Sequence, residues 1–189
     1  MDVDGMLGKI LIAWLFFAGA PPQFHLRDTL GATHTPAEWA HDKAVVLFFV
    51  TIDCPVGNGY VPEMNRIHDA YVNRGVGVYG VQADPSVKDA DVAKYAKDYR
   101  YGFPLLLDPE QVLVRLANAT VTPQAAVLSP EGKVLYLGPI DNRVVDFGKS
   151  RPAATEPYVR NALDATLAGK PVPVATQHSI GCSITRKQK

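Results

Sequence analysis

The sequence lacks the features that mark most specialised classes of protein. Its 189 residues carry 19 Lys and Arg against 19 Asp and Glu, so neither sign is in excess. Only a short tail with Arg186, Lys187 and Lys189 offers a cluster of positive charge. That is too little to offset a phosphate lattice, which excludes nucleic acid as a partner. Cysteine is scarce: two residues are too few for a disulfide framework, and they are either a redox pair or two unrelated thiols. The apolar stretch from Ile10 to Ala20 falls short of the roughly 20 residues a spanning helix requires. Internal repeats and low-complexity tracts are also missing. What remains is a composition of 47% hydrophobic and 20% charged residues, which describes a globular chain with a real core.

The ends differ from the middle. MLGKILIAWLFFAGA, residues 6 to 20, reads as a secretory signal: Lys9 supplies a small positive flank, and Ala18-Gly19-Ala20 resembles a cleavage site. Export to a periplasmic or other extracytoplasmic space is the expectation. There a disulfide persists. The alternative is an N-terminal segment or anchor on a cytoplasmic domain. Residues 21–170 form the expected single domain, with its pattern running from Phe24 to Gly169. Past Pro171 the periodicity is lost, and 171–189 reads as an irregular tail, able to move or dock, that carries Cys182.

Within the domain, strands and helices alternate. Ala44 to Thr51 is a continuous apolar, β-rich run, as in a strand buried on both faces. After Cys54, Val61, Met64, Ile67 or His68, and Tyr71 recur at helical spacing until Gly75 stops the helix. Val76 to Val81 is a second strand. Ser86 with Asp89 reads as a capping box for a helix to about Tyr99. A short strand, Leu105 to Leu107, precedes a short helix from Pro109 through Leu116. Ala125 to Leu128 and Lys133 to Leu137 form a hairpin around Ser129-Pro130-Glu131-Gly132. Residues 156 to 168 close the chain as a helix. This order predicts an α/β fold with a central mixed sheet and helices on both faces.

Cys54 stands where the first buried strand ends and the next helix begins, in TIDCPVGNGYVPEM. Ligands collect at the carboxyl ends of strands in such sheets, and a helix N-terminus there offers free N–H groups and a partial positive charge. A thiolate at this place is favoured. A fall in pKa from about 8.5 to about 6.5 raises the thiolate fraction at pH 7 from roughly 3% to roughly 75%. A close Asp53 opposes the effect. The plain alternative for Cys54 is a small buried apolar residue.

These features together resemble the thioredoxin-like superfamily over nearly the whole chain from Phe24 to Gly169. A Val, Leu and Phe-rich strand runs into Cys54. Pro62 lies inside the following helix at the spacing where thioredoxins keep a kinking proline. Val121-Thr122-Pro123 before an apolar strand is similar to the family's cis-proline loop. That assignment is implied by the resemblance, since a Thr-Pro bond is trans by default. Gly57 occupies the position of the second cysteine of a CxxC motif, so a local disulfide is excluded. Peroxiredoxins keep a Thr three residues before their reactive cysteine, which Thr51 matches, and a Pro seven before it, where Leu47 stands instead. The redoxin or AhpC/TSA-like branch is the nearest match, with a CPxxN motif at Cys54 to Asn58 and a late Gly181-Cys182.

The resemblance implies a thiol-dependent oxidoreductase that needs no cofactor and no metal. Cys54 is the attacking thiolate on a peroxide or a protein disulfide. Thr51, Pro55, Asn58, Thr122 and Pro123 line the substrate groove, and Cys182 resolves the oxidised Cys54. An external dithiol then resets the pair. Loop entropy does not forbid closure of so long a loop, because each doubling of length adds only about 0.6 kcal/mol. A different class is a non-catalytic module binding a soft metal such as Cu(I) through Cys54, His178 and Cys182. His25, His34, His41 and His68 show no ligand spacing. Tyr60 either lines the site beside Asn58 or fills an ordinary place in the first helical turn, and Asp141, Asn142 and Arg143 are either a plain polar loop or a substrate edge. Trp39 and Phe24 are expected to cover the core.

Overall fold

A computed structural model describes residues 22–187; the apolar stretch at 6–20 lies outside the described residues. The described residues open with a small antiparallel pair, β1 (Leu26–Arg27) and β2 (Thr33–His34), and a single helical turn, α1 (Pro36–Trp39). Strand β3 (Ala44–Val50) follows, then helix α2 (Pro55–Tyr71), strand β4 (Val76–Gln82), helix α3 (Asp89–Asp98), strand β5 (Leu105–Leu107) and helix α4 (Val112–Ala117). The two-residue β6 (Val121–Thr122) leads through Pro123 into β7 (Gln124–Leu128) and β8 (Val134–Gly138). A further hairpin, β9 (Val144–Asp146) and β10 (Lys149–Ser150), precedes α5 (Tyr158–Leu167), and β11 (Cys182–Ser183) lies near the end.

The main sheet has the order β5-β4-β3-β7-β8. Strands β3, β4 and β5 are parallel, whereas β7 runs antiparallel to β3 and to β8. All seven residues of β3 are buried because it is central and covered on both faces. Alternation sends Val46, Phe48 and Val50 to one face, against Tyr60, Met64 and Ile67 of α2, Tyr95 of α3 and Leu163 of α5. It sends Val45, Leu47 and Phe49 to the other, against Phe24, Trp39, Leu113 and Val114. Each such side chain contributes about 1.5–3 kcal/mol through burial, so the two faces fix the strand register firmly. This is the mixed sheet with helices on both faces that the sequence predicts. Among the described residues no helix is long and apolar enough to cross a membrane.

Three helix starts differ from expectation, one of them α5, which begins at Tyr158 and not at residue 156. The Ser86 hydroxyl and N–H both donate to Asp84 Oδ1, at 2.7 and 2.8 Å, so Ser86 closes a turn and α3 begins later, behind Lys88. Helix α4 begins at Val112, not at Pro109. The Asp108 carboxylate accepts the N–H groups of Val112, Leu113 and Val114, which defines the first turn there.

Candidate active site

The parallel order of β3, β4 and β5 brings their carboxyl ends to one side of the sheet. Cys54 sits at that side as the N-cap of α2, with Pro55 at the first helical position and its own N–H bonded to the Thr51 carbonyl at 3.2 Å. Thr51 therefore closes the turn that carries the cysteine. Its hydroxyl is buried without a partner among the described residues. Asn58 secures the same turn from the helix side, donating to the Ile52 carbonyl and the Tyr99 hydroxyl and accepting from Tyr95 at 2.9 Å. Tyr95 also meets Tyr101, hydroxyl to hydroxyl, at 3.0 Å. Pro55 lies on a surface groove of about 300 Å³ shared with Val56, Gly59, Arg143 and Val144.

Opposite Cys54 stands the Thr122–Pro123 bond, which is cis. As a thiol, Cys54 donates to the Thr122 carbonyl, with Sγ 2.9 Å from the oxygen. The Thr122 hydroxyl is buried without a partner among the described residues. Gly57 packs directly on the cysteine: a Cβ there would lie 3.6 Å from the Cys54 Cβ and 3.9 Å from the Pro123 ring.

The last part of the site comes from the end of the chain. β11 pairs antiparallel with β6, Cys182 opposite Thr122 and Ser183 opposite Val121, immediately before Pro123. Cys182 is thereby delivered to Cys54. Both are free thiols, Cys54 fully buried and Cys182 half-buried. Burial pushes the Cys54 pKa up. Hydrogen bonding from the Cys182 thiol and from the Gly57 and Cys182 amides outweighs it and leaves the group below the ordinary thiol value. Cys182 shifts the opposite way, to about 11, through burial and its contact with Cys54. The two cysteines thus differ in role: one suited to carry the negative charge, the other to keep its proton and donate it. Asp53 is solvent-exposed.

Thr51, Cys54, Pro55, Asn58, Thr122, Pro123 and Cys182 are in this way gathered at one end of the sheet, in the turn that carries Cys54 and the two segments facing it. His178 is different. It is exposed on a groove with Asp141, Asn142 and Arg151, and among the described residues no group of three His, Cys, Asp or Glu side chains is arranged to hold a metal ion. The Cu(I) alternative therefore has no support from the geometry. Three features escape sequence reasoning. Arg143 donates to the Gly59 carbonyl at 2.8 Å and lies over the Tyr60 ring at 4.5 Å. Tyr60 in turn donates to Asp141 at 2.6 Å, which joins the polar loop to α2. Gln111 holds the end of the tail, and no local pattern signals that role.

The AhpC/TSA family model matches residues 19–137. The crystal structure of a hypothetical protein from Sinorhizobium meliloti 1021 is similar over 90% of this chain and 95% of its own, with 27% identity and a TM-score of 0.75. An uncharacterised conserved protein from Geobacillus kaustophilus covers 90% of this chain and 92% of its own at 29% identity, with a TM-score of 0.74. A secreted disulfide oxidoreductase of Mycobacterium tuberculosis, homologous to Escherichia coli DsbE, covers 78% and 96% at 20% identity, with a TM-score of 0.53, a likeness of fold alone. No curated protein matches the chain.

Proposed function

Because the chain belongs to the AhpC/TSA family and has the thioredoxin-like fold, we propose that it is a thiol-dependent oxidoreductase in which Cys54 attacks and Cys182 resolves. The observation that carries this reading is the pairing of β11 with β6, which sets the late cysteine against the one at the α2 N-terminus.

In the proposed cycle the Cys54 thiolate attacks one sulfur of a substrate disulfide, forming a mixed disulfide and releasing the other sulfur as a thiolate. Cys182 loses its proton and attacks Cys54, which expels the second substrate thiolate and leaves a Cys54–Cys182 disulfide. The substrate is reduced by two electrons. An external dithiol, oxidised in turn, restores both thiols. With a peroxide instead, the Cys54 thiolate takes one oxygen to become a sulfenic acid while the other leaves as water or an alcohol, and Cys182 then condenses with the sulfenic acid, releasing water. The cis Thr122–Pro123 segment beside Cys54 is a groove edge suited to align an incoming disulfide, which favours a disulfide over a peroxide as the substrate. An extracytoplasmic setting suits this chemistry, and the apolar stretch at 6–20 and the secreted relative of the same fold support it.

The test compares turnover of a protein disulfide with turnover of hydrogen peroxide, each with a dithiol reductant, in wild type and Cys54→Ser. Disulfide reduction lost in Cys54→Ser is the expected result. Peroxide consumption without disulfide reduction reassigns the substrate, and activity retained by Cys54→Ser refutes the reading.

A further inference from the structure

Cys54 has no exposed surface. A cysteine that reacts with outside partners must be uncovered, and the residues covering it identify how. Gly181 lies so close to the Thr122–Pro123 peptide that a Cβ on it would fall 2.2 Å from the Thr122 oxygen and 2.7 Å from its carbonyl carbon. Cys182 closes over the Cys54 sulfur from the same strand.

This covering segment is held at both ends and loose between them. At its near end it lies along β8: Leu137 donates to the Ala175 carbonyl at 2.8 Å, and Gln177 donates back to Leu137 at 3.0 Å. At its far end Gln111, itself 2% exposed, grips it by both ends of its amide. The Gln111 Nε2 donates to the Thr185 carbonyl at 2.7 Å and to the Ala83 carbonyl at 2.9 Å, and its Oε1 accepts the Lys187 N–H at 2.9 Å. Ile184 is buried beside it in the core face of β3 that includes Leu113. Arg186 donates to the Ala119 carbonyl at 2.6 Å. Between these anchors the backbone of residues 178–181 makes no hydrogen bond among the described residues; β11 supplies two paired positions, and the Ile184 N–H continues the pairing by donating to the Thr120 carbonyl at 2.9 Å. The Ser179 hydroxyl is buried there without a partner among the described residues, a cost that an open state relieves.

We propose that residues 177–187 form a gate over Cys54, latched by Gln111 and seated through Gly181, and that Cys54 meets an outside partner only when this strap lifts from β6. The proposal rests on the reading of Cys54 as the reactive thiol. The lifted strap leaves Val121 and Thr122 without a strand partner, so the open state presents a bare β edge beside the sulfur. Because Gly181 is seated by a contact no side chain fits, alanine there unseats the strap while leaving the domain beneath it untouched.

Alkylation of reduced, full-length protein tests the gate. The rate of Cys54 modification by iodoacetamide and by the larger N-ethylmaleimide is read by peptide mass, at a pH of about 9.5 where even an ordinary thiol is mostly ionised. Wild type is compared with Gly181→Ala, Ile184→Ser and Gln111→Ala. The expected result is a wild-type rate that saturates with reagent concentration, and a rate raised on the order of tenfold or more in Gly181→Ala and Ile184→Ser. Equal rates in all four proteins, linear in reagent, overturn the gate. The two readings fail separately. A rise in rate on unseating, with wild-type protein that turns over neither a protein disulfide nor hydrogen peroxide, removes the redox reading and keeps the gate. Equal fast rates with a lowered Cys54 pKa remove the gate and keep the redox reading.

Discussion

Replacing Cys182 by alanine should raise the Cys54 pKa by about one unit. The alanine variant removes the Cys182 S–H that donates to Cys54 Sγ but keeps the backbone N–H of residue 182 and the strand pairing of β11. A hydrogen bond to a charged acceptor contributes about 1.5–3 kcal/mol, and a weak S–H donor belongs at the lower end. One pKa unit corresponds to about 1.4 kcal/mol, so losing this donor moves the titration by about one unit upward. The backbone amides of residues 57 and 182 remain, which keeps the change from being larger. Serine at 182 restores an O–H donor and should titrate within a few tenths of a unit of wild type, although neither variant can form the disulfide. The assay is the pH dependence of thiolate absorbance near 240 nm, recorded for wild type, Cys182→Ala and Cys182→Ser. Alanine and serine variants that titrate alike, or an alanine variant with an unchanged Cys54, refute the argument that the late cysteine stabilises the thiolate.

Gly57→Cys should close a local disulfide, because the Cβ position at 57 lies 3.6 Å from the Cys54 Cβ, within the usual range of about 3.5–4.5 Å. Mass mapping after oxidation should then find Cys54 joined to residue 57 in preference to Cys182. Asn58→Ala removes the side chain that ties the Ile52 carbonyl to Tyr95 and Tyr99, and should cost on the order of 1–2 kcal/mol in urea unfolding. At the far side of the sheet, burial opposes the charge on His34, but Glu38 and Asp28 outweigh it and raise its pKa above the ordinary value. A raised histidine stabilises the fold fully below its unfolded pKa of about 6.5, and the gain is lost as pH rises through the higher folded value. The drop in melting temperature over that range should shrink in His34→Gln.

How much of this was legible beforehand depended on the length and depth of each element. Strand β3 announced itself because burial on both faces leaves an unbroken apolar run, and α2 because its buried face repeats every three or four residues. Cys54 followed from its place between them. The pairs β1–β2, β9–β10 and β11–β6 are too short for any periodicity to emerge. Ser86 misled because Asp84, two residues before it, captures the hydroxyl that would otherwise cap α3. The end of the chain is irregular in outline yet docked, since one apolar residue, Ile184, and the amide of a distant Gln111 hold it. Contacts of that kind join positions far apart in sequence and leave no local signature. The resemblance to a known family supplied what the residues alone did not, notably the expectation of a cis bond before Pro123.

The central claim is that Cys54 and Cys182 act as a pair within one chain. Reduced protein treated with a single equivalent of oxidant, its remaining thiols blocked, and then mapped by mass spectrometry tests this most directly. The account predicts a Cys54–Cys182 disulfide in the monomer. A sulfenic acid or mixed disulfide persisting on Cys54 while Cys182 stays free, or a bond joining two chains, would contradict it.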